Sequence, residues 1–353
     1  MFLAHLSLSL ENTKGENSMI NRSNITGKGC LLLVFFLLVS CSEKQLNISS
    51  FCEALEPVHR ILEDPEWASW DMAPIYGDSG KVHLFVGRWP SDGDWLVNAQ
   101  IVHAVSDHPE GPYEVLDTLF QNDTISYYNP QIYQGDGNYV MVYAYKERSE
   151  ARMNQKVGLA TSSSLEGPWV ESPFNPVLAP SYQVGSFDCL HASNPSFHKD
   201  LEGKYRIYYK TISDQPNDPY LRSISLAISE SIEGPYEAFA DNPVLSYVEE
   251  GLDVEDPYNF IYEGKYYMIL EDRMGVASSY LNIPTDPDTV RLGGWRPGLI
   301  YESEDGVHWG KPEIAVRTNA FYFKEPVYRF ERPHILWKEG EPEYLFMSLA
   351  RNE

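Results

Sequence analysis

Basic residues are in short supply: 27 Lys and Arg face 51 Asp and Glu, leaving a formal net charge of -24 at pH 7. Phosphate binding needs a basic footprint, so a nucleic-acid partner is excluded. Cysteine is scarcer still, at four in 353 residues. No Cys/His cluster has zinc spacing, and no EF-hand loop, phosphate-cradling glycine loop or Gly-x-Ser-x-Gly elbow occurs. Neither metal nor cofactor is therefore expected. Long apolar runs are missing too, since Leu31–Val39 is far shorter than the roughly 20 residues a membrane-spanning helix needs. Helical periodicity is confined to a short stretch near Cys52–Leu62, which is expected to form one small helix.

The apolar run has a different use. Arg22 and Lys28 precede it, and Leu38-Val39-Ser40-Cys41 closes it in the manner of a bacterial lipobox. Residues 1–41 therefore read as a targeting segment, with Met19 a more natural start than Met1, cleaved before Cys41 and lipidated on its thiol. Residues 42–64 follow as a tether and N-terminal segment. These features imply a lipid-anchored protein of the bacterial cell envelope, a monomer that meets the membrane only through its anchor. Cys52 and Cys189 remain in the mature body, as a disulfide or as buried thiols.

What the chain has in abundance is tyrosine, 24 residues, within an aromatic content of 13%. Tyrosine suits strands and the half-buried walls of sugar sites. The aromatic strands recur behind a polar anchor. Asp71, Asn129, Asn194, Asp256 and Arg332 are spaced by 58, 65, 62 and 76 residues. A second motif keeps step: Gly111-Pro112-Tyr113, Gly167-Pro168-Trp169, Gly234-Pro235-Tyr236 and the variant Gly306-Val307-His308-Trp309. They follow their anchors by 40, 38, 40 and 50 residues. Each unit holds four short strands, in the first case Ala73–Tyr76, Val82–Trp89, Gln100–Val105 and Tyr113–Thr118. Four-stranded units repeating about every 60 residues mark a β-propeller, here all-β with five blades over residues 65–353. The fifth unit is short, so either N-terminal residues complete it or it stays incomplete.

In a propeller the first strand of each blade lines a central channel, so the anchors converge on one mouth. Glycosidic hydrolysis needs a carboxylic acid to protonate the leaving oxygen and a carboxylate to activate water or attack carbon. Glu255-Asp256 supplies two adjacent acids, Asp71 a third, and Arg332-Pro333-His334 a charged variant in the last repeat. On a regular strand Glu255 and Asp256 point to opposite faces, so only one reaches the channel. Around them Arg332, Asn129, Asn194, Asp188, His191, Arg88 and Trp70 are candidate substrate-binding residues.

From Trp67 to Ala350 the chain resembles the five-bladed propeller glycoside hydrolases of families 43 and 117. The resemblance rests on Gly87-Arg88-Trp89-Pro90, His103-Ala104-Val105-Ser106-Asp107, Asn129-Pro130, Ser193-Asn194-Pro195-Ser196, Glu255-Asp256-Pro257 and Phe330-Glu331-Arg332-Pro333. It implies a carbohydrate substrate and an inverting glycosidase. By family 43, Asp71 is the general base and Glu255 the general acid; a third, tuning acid falls at Asn194, which departs from the pattern, with Asp188 nearby as a replacement. By family 117, Asp71, Asp256 and His334 fill the roles. The comparison leans to Glu255 as proton donor. A glycan-binding propeller without catalysis is the alternative.

Overall fold

The computed structural model describes residues 1–6, 48–120, 122–135, 137–214, 220–281, 296–324, 327 and 329–350. It is a five-bladed β-propeller of five antiparallel four-stranded sheets. Blade one runs β3 (Trp67–Tyr76), β4 (Val82–Pro90), β5 (Gln100–Ser106), β6 (Glu114–Thr118). Blade two is β7 (Ile125–Gln134), β8 (Tyr139–Glu147), β9 (Lys156–Ser162), β10 (Val170–Glu171). Blade three is β11 (His191–Lys199), β12 (Tyr205–Ile212), β13 (Arg222–Ser229), β14 (Glu237–Ala238). Blade four is β15 (Val254–Tyr262), β16 (Lys265–Asp272), β17 (Gly298–Ser303), β18 (Glu313–Val316).

Blade five answers the question of the short last unit. Its inner strands are β19 (Arg329–Lys338) and β20 (Glu341–Ala350), and its outer ones are β1 (Phe2–Leu6) and β2 (Leu55–Arg60). The two chain ends thus close the ring by antiparallel pairing, with Leu3 opposite Phe346 and Ala4 opposite both Leu345 and Pro57. Two sequence expectations change here. The helix near Cys52–Leu62 is a single turn at Ser50–Glu53, because Leu55–Arg60 is taken up as an edge strand. Met1–Leu6, assigned to the targeting segment, instead bury Leu3 and Ala4 completely within the blade. The apolar run, Cys41 and most of the tether lie outside the described residues.

The core is divided among the blade interfaces. One apolar cluster fills each of the five, for example Tyr208, Ile224 and Leu226 of blade three against Met268, Leu270 and Leu299 of blade four. Second strands are covered on both faces, so Val82–Val86 and Val140–Ala144 are buried continuously instead of alternating. Two-residue hairpins at Glu263-Gly264 and Glu339-Gly340 have positive φ at both positions, as a type I′ turn requires. In the Gly-Pro-aromatic motif the Tyr113 and Tyr236 hydroxyls donate to the carbonyls of Pro109 and Ile232, both at 2.8 Å, fixing the entry to the outer strand. Cys52 and Cys189 are free and buried.

Candidate active site

The anchors do not open their strands; they interrupt them. Asp71, Asn129, Asn194, Asp256 and Arg332 have φ of 51°, 50°, 50°, 62° and 63°. At each the register with the second strand slips, between Trp70 and Met72, Tyr128 and Gln131, Ser193 and Ser196, Glu255 and Tyr258, Glu331 and His334. A bulge takes its extra residue out of the ladder and re-aims it. Five such residues line one cavity of about 20 Å3 on the propeller axis, with Pro130, Pro195, Pro257 and Pro333 behind four of them. Asp and Asn tolerate left-handed backbone; Arg332 has no such preference, and holding it there costs about 1–3 kcal/mol.

Two ion pairs hold Arg332 in that strained position. Its Nε lies 2.9 Å from Asp71 Oδ1 and its Nη1 2.8 Å from Asp256 Oδ1. Asn194 Nδ2 donates to Asp256 Oδ1 at 2.5 Å and to Glu255 Oε1 at 3.5 Å. The bulge therefore brings both acids to one cluster, contrary to the alternation expected of a regular strand. Behind Asn194 runs a relay: the Ser193 hydroxyl donates to Asn194 Oδ1 at 2.8 Å, and His191 Nε2 sits 2.6 Å from Ser193 Oγ. Asp71 Oδ2 accepts the Asn129 N–H at 3.3 Å, and its own N–H donates to Ser348 Oγ at 3.0 Å.

Glu255 and Asp256 have opposite surroundings. Glu255 Oε1 meets Lys210 Nζ at 2.6 Å, and Oε2 meets Arg273 Nη1 at 2.8 Å and Arg222 Nε at 3.1 Å. Burial resists ionisation, but Arg222, Lys210 and Arg273 outweigh it and hold this carboxyl well below the usual range. A carboxylate so held cannot store the proton a general acid delivers, which weighs against the donor role given to Glu255. Asp256 is pushed up to about 7, chiefly by burial; Arg332 opposes the shift, and Glu255 and Glu331 add to it. Its Oδ2 is buried with no hydrogen-bond partner among the described residues. Asp71 is raised by burial, with Arg332 opposing.

A third acid does stand beside Asp256, though not at Asn194. Carboxylate oxygens of Asp256, Glu271 and Glu331 lie within 4.8 Å of one another, all buried. Burial first, then Glu331, raises Glu271 well above its ordinary value, and Arg296 Nη1 lies 3.1 Å away. The trio is where a cation would fit most readily, but Arg296, Arg329 and Arg332 already bring positive charge to its three members.

The remaining candidates scatter. His334 lines the cavity but packs half-buried against Tyr258 at 5.1 Å, and desolvation lowers it to about 3, so near neutrality it is a neutral imidazole and not an imidazolium acid. Asp188 stays in the loop before β11, its Oδ1 accepting from Ser186 at 2.5 Å, and does not replace the acid expected at Asn194. His191 reaches the site only through Ser193. Arg88 stacks on Trp67 at 4.3 Å and lines a cleft between blades one and five, away from the axis. Trp70 is half-buried beside the blade-one bulge.

Sequence reasoning missed Arg222, Arg273, Glu271 and Arg296, which sit on or after second and third strands where no repeat marks them. One signal was available. Opposite the residue before each bulge stand Gly87, Ala144, Lys210, Glu271 and Ser348, so blade four sets Glu271 against Glu255. Like charges in that arrangement repel unless protons or cations relieve them. Glu255, being depressed from 4.5, contributes stability that is present above that value and lost as pH falls through its folded pKa. Acid titration followed by circular dichroism is expected to show that loss in wild type and a flatter profile in Glu255→Gln.

Sequence comparison matches no protein-family model and no curated protein. In fold the chain is similar to a family 117 glycoside hydrolase of the marine bacterium Zobellia galactanivorans, with a TM-score of 0.55 at 18% identity over 79% of this chain and 77% of that one. It is similar to a thermostable family 43 glycoside hydrolase, with a TM-score of 0.56 at 15% identity over 81% and 85%. A family 32 β-fructofuranosidase of Bombyx mori gives 0.56 at 17% identity, over 80% of this chain and 55% of that one.

Proposed function

We propose that this protein hydrolyses O-glycosidic bonds of oligo- or polysaccharides, with Asp256 as proton donor and Asp71 as base. The observation that carries the reading is the pair of ring carboxylates on blades one and four, bridged by Arg332, one of them poised near neutrality. The solved neighbours of this fold are glycoside hydrolases of families 117, 43 and 32, which supports the reaction class. Asp256 would protonate the leaving oxygen through its unpartnered Oδ2. Asp71, its negative charge favoured by Arg332, would take a proton from water. Glu255 would then set the field around Asp256 rather than transfer a proton itself. An inverting course follows if water enters between the two carboxylates. A panel of aryl glycosides and oligosaccharides, followed by proton NMR of the first-formed anomer, tests this. Turnover with inversion is expected; turnover with retention would refute the inverting course.

One observation favours a glycan-binding propeller instead: Arg332 lies between the two acids, beside a cavity of only about 20 Å3. Binding without turnover of any substrate in the panel would establish that reading.

The lipobox-like Leu38-Val39-Ser40-Cys41 supports export and anchoring at the cell envelope. Cleavage before Cys41 would remove β1 from blade five, so anchor and blade make competing demands on Met1–Leu6. Intact-mass measurement of the membrane-extracted protein is expected to give a chain starting at acylated Cys41. A mass that includes Met1 would refute the anchor.

A further inference from the structure

A cleft of about 880 Å3 lies at the other end of the inner strands, on the far side of the bulge ring. That volume is typical of a small-molecule site. None of Asp71, Glu255, Asp256, Glu271 and Glu331 lines it. We propose that this opposite mouth is a second, non-catalytic binding site for a neutral saccharide. The proposal goes beyond the hydrolytic reading and does not depend on where cleavage occurs.

Three features point to that ligand. First, Asn259 lines the cleft at 2% exposure, and neither its Oδ1 nor its Nδ2 has a hydrogen-bond partner among the described residues. Its backbone N–H is held by Ser196 Oγ at 2.7 Å, so the side chain is the part left to serve a ligand. A buried amide without partners is unfavourable, which a ligand offering both a donor and an acceptor would relieve. Neighbouring sugar hydroxyls offer both. His334, half-buried, lies on the same wall.

Second, the walls are aromatic and fixed. Trp337 Nε1 donates to the Tyr258 hydroxyl at 3.0 Å, and that hydroxyl donates to the Ile335 carbonyl at 3.3 Å. Trp337 packs on Phe260 at 5.4 Å and is half-buried, as is Tyr133 across the cleft. Such rings present apolar bodies to the C–H faces of a sugar at little entropic cost. Third, the rim charges are of both signs and one pair is closed: Lys338 Nζ and the Tyr76 hydroxyl both reach Glu343, at 3.2 and 2.5 Å. The lining carries both signs, Lys199 and Lys338 with Asp107, Glu339 and Glu343, and the orphan amide of Asn259 is neutral. The class that fits is an uncharged oligosaccharide.

The test is a glycan array of neutral oligosaccharides probed with Asp71→Asn protein, and with that protein further carrying Asn259→Leu or Ile261→Arg. Asn259→Leu removes the amide at similar volume, and Ile261→Arg adds bulk at the half-buried rim. At least one glycan is expected to be retained, with its signal falling tenfold or more in both cleft variants at unchanged melting temperature for Ile261→Arg. If Asn259→Leu fails to fold, Ile261→Arg alone decides. Retention of no glycan, or retention that survives the cleft changes, would overturn the proposal. Hydrolysis without cleft-dependent binding counts only against the second site. Cleft-dependent binding without hydrolysis counts only against the catalytic reading.

Discussion

Asp256→Asn is expected to lose hydrolysis of substrates with poor leaving groups by about 10²–10⁴-fold, the usual worth of a general acid. With an aryl glycoside whose leaving group departs unaided, the loss should be far smaller. The contrast follows from where the proton sits. Asp256 is buried at the bulge, one oxygen shared by Arg332 and Asn194, the other unpartnered, with a pKa of about 7. Wild-type kcat/KM should therefore fall as pH rises through about 7, and Asp256→Asn should lack that limb. Glu255→Gln should affect good and poor leaving groups alike, since Lys210, Arg222 and Arg273 keep Glu255 ionised. A loss confined to poor leaving groups in Glu255→Gln, and absent in Asp256→Asn, would restore Glu255 as the donor. Stability offers an independent check. A carboxyl raised in the folded state contributes stability below its unfolded value of 3.8 and loses it as pH rises towards 7. Asp256→Asn should accordingly lose less stability than wild type as pH rises from about 4 to 7.

Arg332→Met is expected to be the most damaging change to folding. Removing one partner of a buried ion pair costs about 3–5 kcal/mol because the other charge is left uncompensated. Here one guanidinium serves two buried carboxylates, Asp71 and Asp256, at 4% and 3% exposure. Both acids would then retain protons to higher pH, so the variant should recover stability on acidification from pH 8 to 5, where wild type changes less. Urea titrations at the two pH values measure this. Equal losses at both would mean that the arginine acts by packing and not by charge.

The repeat made the propeller legible because each blade must supply the same elements: an anchor on the inner strand, a tight hairpin, a Gly-Pro-aromatic entry to the outer strand. The closure of the last blade was not legible, since β1 and β2 carry no copy of either motif. At the site, the anchors were found but their geometry was not. Alternation assigns Glu255 and Asp256 to opposite faces, and only the positive φ at Asp256 brings both to Asn194. The cage around Glu255 was hidden for another reason. Lys210, Arg222 and Arg273 converge from different strands, and their effect on a carboxyl depends on distances that sequence spacing does not carry. His334 differs again: it stands two residues after Arg332 in the chain, yet desolvation against Tyr258 keeps it a neutral imidazole near neutrality.

The central claim, that the bulge ring is a hydrolytic centre, is tested most directly by turnover of the glycoside panel in wild type, Asp71→Asn and Asp256→Asn. Hydrolysis in wild type, lost on poor-leaving-group substrates in both variants while both fold normally, is the result expected. Hydrolysis that survives both substitutions undiminished would place the chemistry elsewhere and contradict the account.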